Sequence, residues 1–134
     1  MMQRLLVVLI GVVILLLIVV ILALLRKRVS PAAYKEKWVE LQRFCSSKET
    51  WPLAIISADK LLDEALKKRR LKGKSMGERL VSGQRVFSDN DGIWFAHNLA
   101  KKLMEDSVLR LKQADVKKSL LGVRQALKDL GVME

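Results

Sequence analysis

The sequence contains few of the residues that form disulfide bonds or bind zinc, and it has little proline, which is enriched in disordered segments. It contains one cysteine, one histidine and two prolines in 134 residues. A single cysteine excludes an internal disulfide framework, and one cysteine with one histidine excludes a Cys/His zinc cage. No low-complexity tract is present, which argues against a long disordered tail. We predict no cofactor and identify no small-molecule substrate, and the length allows one domain.

Acidic residues are absent from the first 28 residues, which hold four basic residues and an unbroken apolar run at 5–25. As a helix, this run is about 31 Å long, which matches a hydrocarbon core of about 30 Å. A cleaved secretory signal has a shorter apolar region of about 7–15 residues and a small-residue cleavage site. This run instead ends directly in basic residues, so residues 1–28 are predicted to form an uncleaved transmembrane anchor.

The basic residues around this run predict its orientation. Arg4 lies on the N-terminal side, whereas the C-terminal side carries Arg26, Lys27, Arg28, Lys35 and Lys37. Positive charge is retained on the cytoplasmic side of a membrane, so residues 29–134 are predicted to be a cytoplasmic domain at the cell membrane. A lone reduced cysteine, Cys45, agrees with that side.

Apolar residues recur at helical spacing through the rest of the chain, and no useful strand-like alternation appears. Ser30 is a predicted N-cap before Pro31. Thr50 opens a second helix that ends in the run of cations at 67–74, with Gly73 as its stop, and a third helix covers about 93–105. Ser75 begins a short helical turn, and Gly131 closes the last helix. We therefore predict an all-α fold, with one N-terminal transmembrane helix and a cytoplasmic four-helix bundle. The expected core residues are Trp38, Leu62, Phe95 and Leu127.

Two acidic patterns are assigned structural roles. Asp89 and Asp91 precede Gly92, but an EF-hand register would place Phe87 and Asn98 at positions that need carboxylates, so a tight turn is predicted. Asp59 and Asp63 share a helix face and could form a catalytic carboxylate pair. The alternative is that Lys67 pairs with Asp63 and Arg79 with Asp59.

Six basic residues crowd into residues 67–74: Lys67, Lys68, Arg69, Arg70, Lys72 and Lys74. This basic run has three interpretations that the sequence leaves open. It is a solvated helix end, a contact for the anionic inner leaflet of a membrane, or a contact for nucleic acid or an acidic partner. No aromatic residues are interleaved to stack on bases, which weakens the nucleic-acid interpretation.

Three segments carry a recognisable pattern: I-I-S-A-D-K-L-L-D-E-A-L at 55–66, M-G-E-R-L at 76–80 and A-L-K-D-L-G at 126–131, with Gly73, Trp94 and Ala96-His97 between them. In their order and spacing, residues 34–131 resemble a small uncharacterised family of bacterial membrane-anchored helical proteins. That family is similar to HEPN domains, helical bundles that include many toxin and defence RNases. The resemblance implies a HEPN-like four-helix bundle, and HEPN bundles commonly dimerise.

The RNase pattern of those relatives is incomplete here. They carry A-H-K-x-R-N-x-x-x-H-E on one helix; Ala96, His97 and the acid Asp106 match. The arginine position is Ala100, the asparagine is Lys101 and the second histidine is Glu105. The resemblance therefore implies a member without the RNase residues, in which His97, Lys101 and Glu105 mark a former active-site surface.

These observations favour a non-enzymatic single-pass membrane protein whose HEPN-like bundle binds a protein partner or a second copy of itself. The alternative is a membrane-tethered, RNase-like or nucleic-acid-binding protein that uses the basic run. For His97 itself, a partly buried, hydrogen-bonded histidine is favoured over a catalytic one, because no nucleophile pattern surrounds it.

Overall fold

The structure, a computed structural model, describes residues 1–26, 31–106 and 108–134. It separates the chain into two compact units, residues 1–30 and residues 31–134. The predicted N-cap Ser30, the basic residues Lys27 and Arg28 and the domain boundary after residue 28 lie outside the described residues. Throughout the described residues the secondary structure is helical, with no strand, which confirms the all-α prediction.

The first unit contains one helix, α1, at Met2–Arg26. Its large apolar side chains between residues 5 and 25 are 48–67% exposed. The most apolar 18-residue stretch within Met2–Leu25 has a mean hydropathy of 3.9, so length and composition allow this helix to cross a membrane.

The second unit, called the helical domain below, contains five α-helices in its described part. They are α2 at Pro31–Gln42, α3 at Trp51–Lys68, α4 at Met76–Ser82, α5 at Asn90–Glu105 and α6 at Gln113–Asp129. Short 3-10 helices at Arg43–Ser46 and Lys48–Thr50 join α2 to α3. Helix α5 begins three residues before its predicted start, because the Asp89 side chain caps it by accepting the Gly92 N–H at 2.9 Å. Residues 90–92, predicted as part of a turn, are therefore helical.

Helix α3 ends within the basic run, as predicted, but at Lys68 rather than at Gly73. Arg70 adopts a left-handed conformation with φ of 58°. The Arg70 N–H donates to the Lys67 carbonyl at 3.0 Å and the Leu71 N–H to the Leu66 carbonyl at 3.1 Å. This is the hydrogen-bond pattern with which glycine usually ends a helix, here formed by an arginine. Gly131, with φ of 71°, forms the same pattern after α6, as predicted.

The core lies where α3, α5 and α6 pack on one another, and α2 packs on α3. Leu62 and Leu127 are fully buried and Trp38 is 5% exposed, which confirms three of the predicted core residues. Phe95 is only half-buried, so that prediction is wrong. The Lys118 Nζ lies 4.3 Å from the centre of its ring, a cation–π contact at the edge of the core.

Helices α5 and α6 approach each other closely at two glycines, Gly92 and Gly122. A Cβ added to Gly122 would lie 2.6 Å from the backbone carbonyl carbon of Gly92. No side chain fits at that separation, so the packing of α5 on α6 depends on the missing Cβ.

Candidate functional site

The only histidine forms a buried pair with a carboxylate. His97 on α5 places its Nδ1 3.0 Å from Oδ1 of Asp59 on α3, and the two side chains are 11% and 9% exposed. The prediction of a partly buried, hydrogen-bonded histidine is therefore confirmed. Burial raises the pKa of Asp59; the hydrogen bond and charge of His97 oppose the rise, and the nearby Asp63 adds to it. The Trp94 ring and the imidazole form a T-shaped contact, with the ring centres 6.0 Å apart and the ring planes at 68°.

Asp63 on α3 pairs with Arg79, the arginine that the sequence predicts as the partner of Asp59. Arg79 on α4 is 8% exposed; its Nε donates to Asp63 Oδ1 at 2.9 Å, and its Nη2 lies 2.8 Å from the same oxygen. The predicted Arg79–Asp59 pairing is therefore wrong, whereas the predicted Lys67–Asp63 pair is present at 3.4 Å. The remaining guanidinium nitrogen, Nη1, donates to the Gly73 carbonyl at 3.0 Å.

The basic run divides into two halves with different surroundings. In the first half, Lys67 pairs with Asp63, the Lys68 Nζ lies 5.7 Å from the centre of the Tyr34 ring, and the Arg69 Nη2 donates to the Gly131 carbonyl at 3.1 Å. These three cations already have contacts within the helical domain.

The second half of the run lies in the loop between α3 and α4. The side chains of Arg70, Lys72 and Lys74 are exposed and have no ion-pair or hydrogen-bond partner in the described part of the chain. Three cations within five residues can therefore meet an external anion without breaking an internal contact. We call residues 70–74 the basic loop.

The three residues predicted to mark a former active-site surface do not form a single cluster. His97 turns inward to Asp59, while Lys101 and Glu105 are exposed. Within residues 31–106 and 108–134, Lys101 and Glu105 form no ion pair with each other. Ala100, which stands at the arginine position of the RNase pattern, is fully buried. A long cation has no room there without repacking of the core.

The described residues contain no group of three or more His, Cys, Asp or Glu side chains placed to hold a metal ion. A cavity of about 610 Å³ lies beside α2, with Trp38, Val39, Arg124 and Met133 among its lining residues. Neither His97 nor any residue of the basic loop is among the residues that line this cavity.

Comparisons of the chain with protein-family models, curated proteins and solved structures find no match.

Proposed function

We propose that this chain is a single-pass membrane protein whose cytoplasmic, HEPN-like helical domain is a non-catalytic binding module. The observation that carries the proposal is the division of its charged groups. The groups suited to acid–base chemistry, His97 with Asp59 and Asp63 with Arg79, are paired inside the helical domain. The exposed cations Arg70, Lys72 and Lys74 are available to a partner.

The membrane assignment rests on α1 and its flanks. Its apolar side chains point outward on all sides of the helix, where water would be an unfavourable solvent for them. The hydrocarbon core of a bilayer is an apolar solvent for these side chains over the whole length of the helix. The excess of lysine and arginine after the apolar run supports a cytoplasmic helical domain.

The HEPN-like assignment rests on the resemblance of residues 34–131 and on four longer helices, α2, α3, α5 and α6. Buried Ala100 at the expected arginine position supports a non-catalytic member of that group. The expected partner is a second copy of the chain or another protein, as is common for bundles of this kind.

The first experiment tests topology. A reporter that is active only in the cytoplasm, fused after Glu134, should be active, and the intact chain should remain in membranes after an alkaline wash. Activity of an exported reporter at the same position would invert the orientation. Release of a shortened chain would identify residues 1–28 as a cleaved signal.

One observation favours an RNase-like alternative. A carboxylate that fixes an imidazole through Nδ1, as Asp59 does for His97, leaves Nε2 to accept or donate a proton. Incubation of the full chain with total RNA tests this alternative, with His97→Gln as the matched variant. Our proposal predicts no cleavage by either protein; cleavage that is lost in His97→Gln would replace the proposal with a membrane-tethered RNase.

A further inference from the structure

Helix α4 holds the backbone of the basic loop at three successive residues. Ser82 Oγ donates to the Lys72 carbonyl at 2.8 Å, and Arg79 Nη1 donates to the Gly73 carbonyl at 3.0 Å. The Lys74 N–H donates to the Glu78 carboxylate. The three side chains from α4 stand at positions 78, 79 and 82, so they share one face of the helix.

This arrangement is anchored in the core through Arg79. The same guanidinium binds Asp63 on α3, so the loop, α4 and α3 are joined by one buried side chain. Gly73 has φ of 154°, and a Cβ there would lie 2.7 Å from the Arg79 backbone nitrogen. Only glycine allows the loop to lie this close to α4. The backbone that carries Lys72 and Lys74 is therefore held in place before any ligand binds.

Arg70 occupies a position where glycine would be less strained. Its φ of 58° is in the left-handed region, which a residue with a Cβ rarely adopts. Strained backbone of this kind persists where the surrounding structure imposes it, and it often marks a functional position. The strained residue, Arg70, carries an exposed guanidinium in the same loop as Lys72 and Lys74.

We propose that the basic loop docks on the phosphate groups of anionic lipid headgroups, with Arg79 as the positioning residue that fixes its shape. The inference rests on the proposed function, because it requires the chain to be membrane-anchored. Five residues, 26–30, separate the apolar run from Pro31, so the loop belongs to a domain tethered near a bilayer. Lysines and arginines close to an anionic leaflet are attracted to its negatively charged headgroups. No aromatic residue stands in residues 69–75 to stack on a base, which disfavours single-stranded nucleic acid.

The test is amide hydrogen exchange of the full chain in two kinds of nanodisc. One contains phosphatidylcholine alone, and the other contains phosphatidylcholine and phosphatidylglycerol in equal parts. Amides of residues 69–75 should exchange on the order of tenfold more slowly in the anionic discs, because docked cations resist loop opening. A peptide from α6 serves as the internal reference and should be unchanged. High salt should remove the slowing.

Two double variants with the same change in net charge locate the effect. Lys72→Gln with Lys74→Gln removes two unpartnered cations of the loop and should return exchange to the rate in neutral discs. Lys67→Gln with Lys68→Gln removes two cations that already have internal contacts, and it should retain most of the slowing.

A second pair of variants tests positioning without any change in charge. Ser82→Ala removes the hydrogen bond to the Lys72 carbonyl and should weaken the lipid-dependent slowing several-fold. The matched control is Ser46→Ala, since the Ser46 hydroxyl also donates to a backbone carbonyl, that of Arg43, at 2.8 Å. The control should behave as the unmodified chain does.

Each result supports or overturns a separate statement. If the chain remains in the discs but residues 69–75 exchange equally fast in both, the lipid inference is wrong and the proposed function stands. If both double lysine variants lost the lipid-dependent slowing equally, the lipid inference would also be overturned, because the overall positive charge of the domain would then explain the slowing. Slowing by an RNA oligonucleotide but not by phosphatidylglycerol would assign the loop to nucleic acid. A chain that leaves the discs would overturn the proposed function and the inference with it.

Discussion

Helix α1 and the helical domain use the same apolar residue types in opposite surroundings. In α1, leucine, isoleucine and valine occupy every side of the helix, and their side chains are about half exposed. In α3, apolar residues recur at helical spacing, and Ile55, Leu62 and Leu66 are no more than 1% exposed. A helix that is apolar on one face buries that face against other helices, whereas one that is apolar all round needs an apolar solvent.

The difference shows where each region obtains its stability. Burial of apolar surface contributes about 25 cal/mol per Å² wherever the surface leaves water. The helical domain buries that surface in contacts between its own residues, which single substitutions can break. Helix α1 depends on composition and length, so single apolar substitutions within it should matter little. The following predictions test this contrast, beginning with the largest expected effect.

Separating the two regions should change solubility completely. A fragment of residues 31–134 lacks the exposed apolar surface of α1 but keeps the core residues of the helical domain. We expect it to be soluble, strongly helical by circular dichroism and cooperative on melting. The full chain without detergent should aggregate under the same conditions. An unfolded fragment would show that the core needs a bilayer or a partner chain for completion.

The second-largest effect is expected from shortening a buried leucine, which should destabilise the helical domain but not α1. Leu62→Ala or Leu127→Ala should each lower the free energy of unfolding by about 2–5 kcal/mol, because both side chains are fully buried and leave a cavity. Leu15→Ala in α1 is the control and should leave the denaturation midpoint of the helical domain unchanged. Urea titration of the full chain in neutral detergent measures all three. Equal effects at Leu15 and Leu62 would contradict the contrast.

Glycine positions offer a second matched pair. Gly122→Ala should cost about 1–3 kcal/mol, because its Cβ would meet the backbone of Gly92 and force α5 away from α6. Gly11→Ala should not destabilise the chain, since nothing lies within 4 Å of a Cβ built at that position. The same titration measures both variants, and a neutral Gly122→Ala would show that α5 and α6 separate without cost.

Two carboxylates of the helical domain should have opposite pH profiles. Burial raises the pKa of Asp59 above 3.8, so its contribution is present at low pH and is lost as pH rises through the folded-state pKa. For Asp129, burial is outweighed by hydrogen bonds from Ser88 and Gln125, which lower the pKa; its contribution is present above 3.8 and is lost as pH falls.

Comparison of each asparagine variant with the unmodified chain measures the pH-dependent contribution of each aspartate to stability. Asp59→Asn should become relatively more stable as pH rises above 3.8, whereas Asp129→Asn should become relatively less stable as pH rises from strongly acidic values toward 3.8. Urea midpoints taken between strongly acidic and neutral pH measure both slopes. Slopes of the same sign in the two variants would contradict the assigned shifts.

The smallest effect is expected on the exposed face of α5. Lys101→Ala with Glu105→Ala removes two exposed side chains that form no ion pair with each other in the described residues. The change in unfolding free energy should stay within about 0.5 kcal/mol. If this folded variant loses a crosslinked partner in native membranes, the former active-site surface is an interface. A large fall in melting temperature would instead reveal a structural role.

Cross-helix partners were the least predictable part of the candidate site. Helical spacing showed that Asp59 and Asp63 share a face, but spacing within one helix carries no information about which side chain of another helix reaches them. Asp59 and Asp63 stand among apolar neighbours on α3, and that pattern signals that partners are needed. It does not choose between His97 and Arg79, which come from different helices.

The sequence shows the basic run as six clustered cations, but it does not show that the run divides into two halves with different contacts. Nothing in six clustered cations distinguishes Lys68, above the Tyr34 ring, from Lys72, whose carbonyl is held by Ser82. The division depends on where α3 ends, and the sequence predicted a stop at Gly73 because glycine commonly ends a helix. The left-handed turn at Arg70 moved it five residues earlier, to Lys68.

Local patterns in the sequence alone determined the apolar helix, the all-helical secondary structure and three of the four expected core residues. These features depend on length, on periodicity and on caps, which act between residues close together in the chain. Tertiary structure alone decided the His97–Asp59 pair, the attachment of the basic loop through Arg79 and the contact of Gly92 with Gly122. Each of these joins residues from different helices, and their distances depend on how whole helices pack rather than on any neighbouring residues in the sequence.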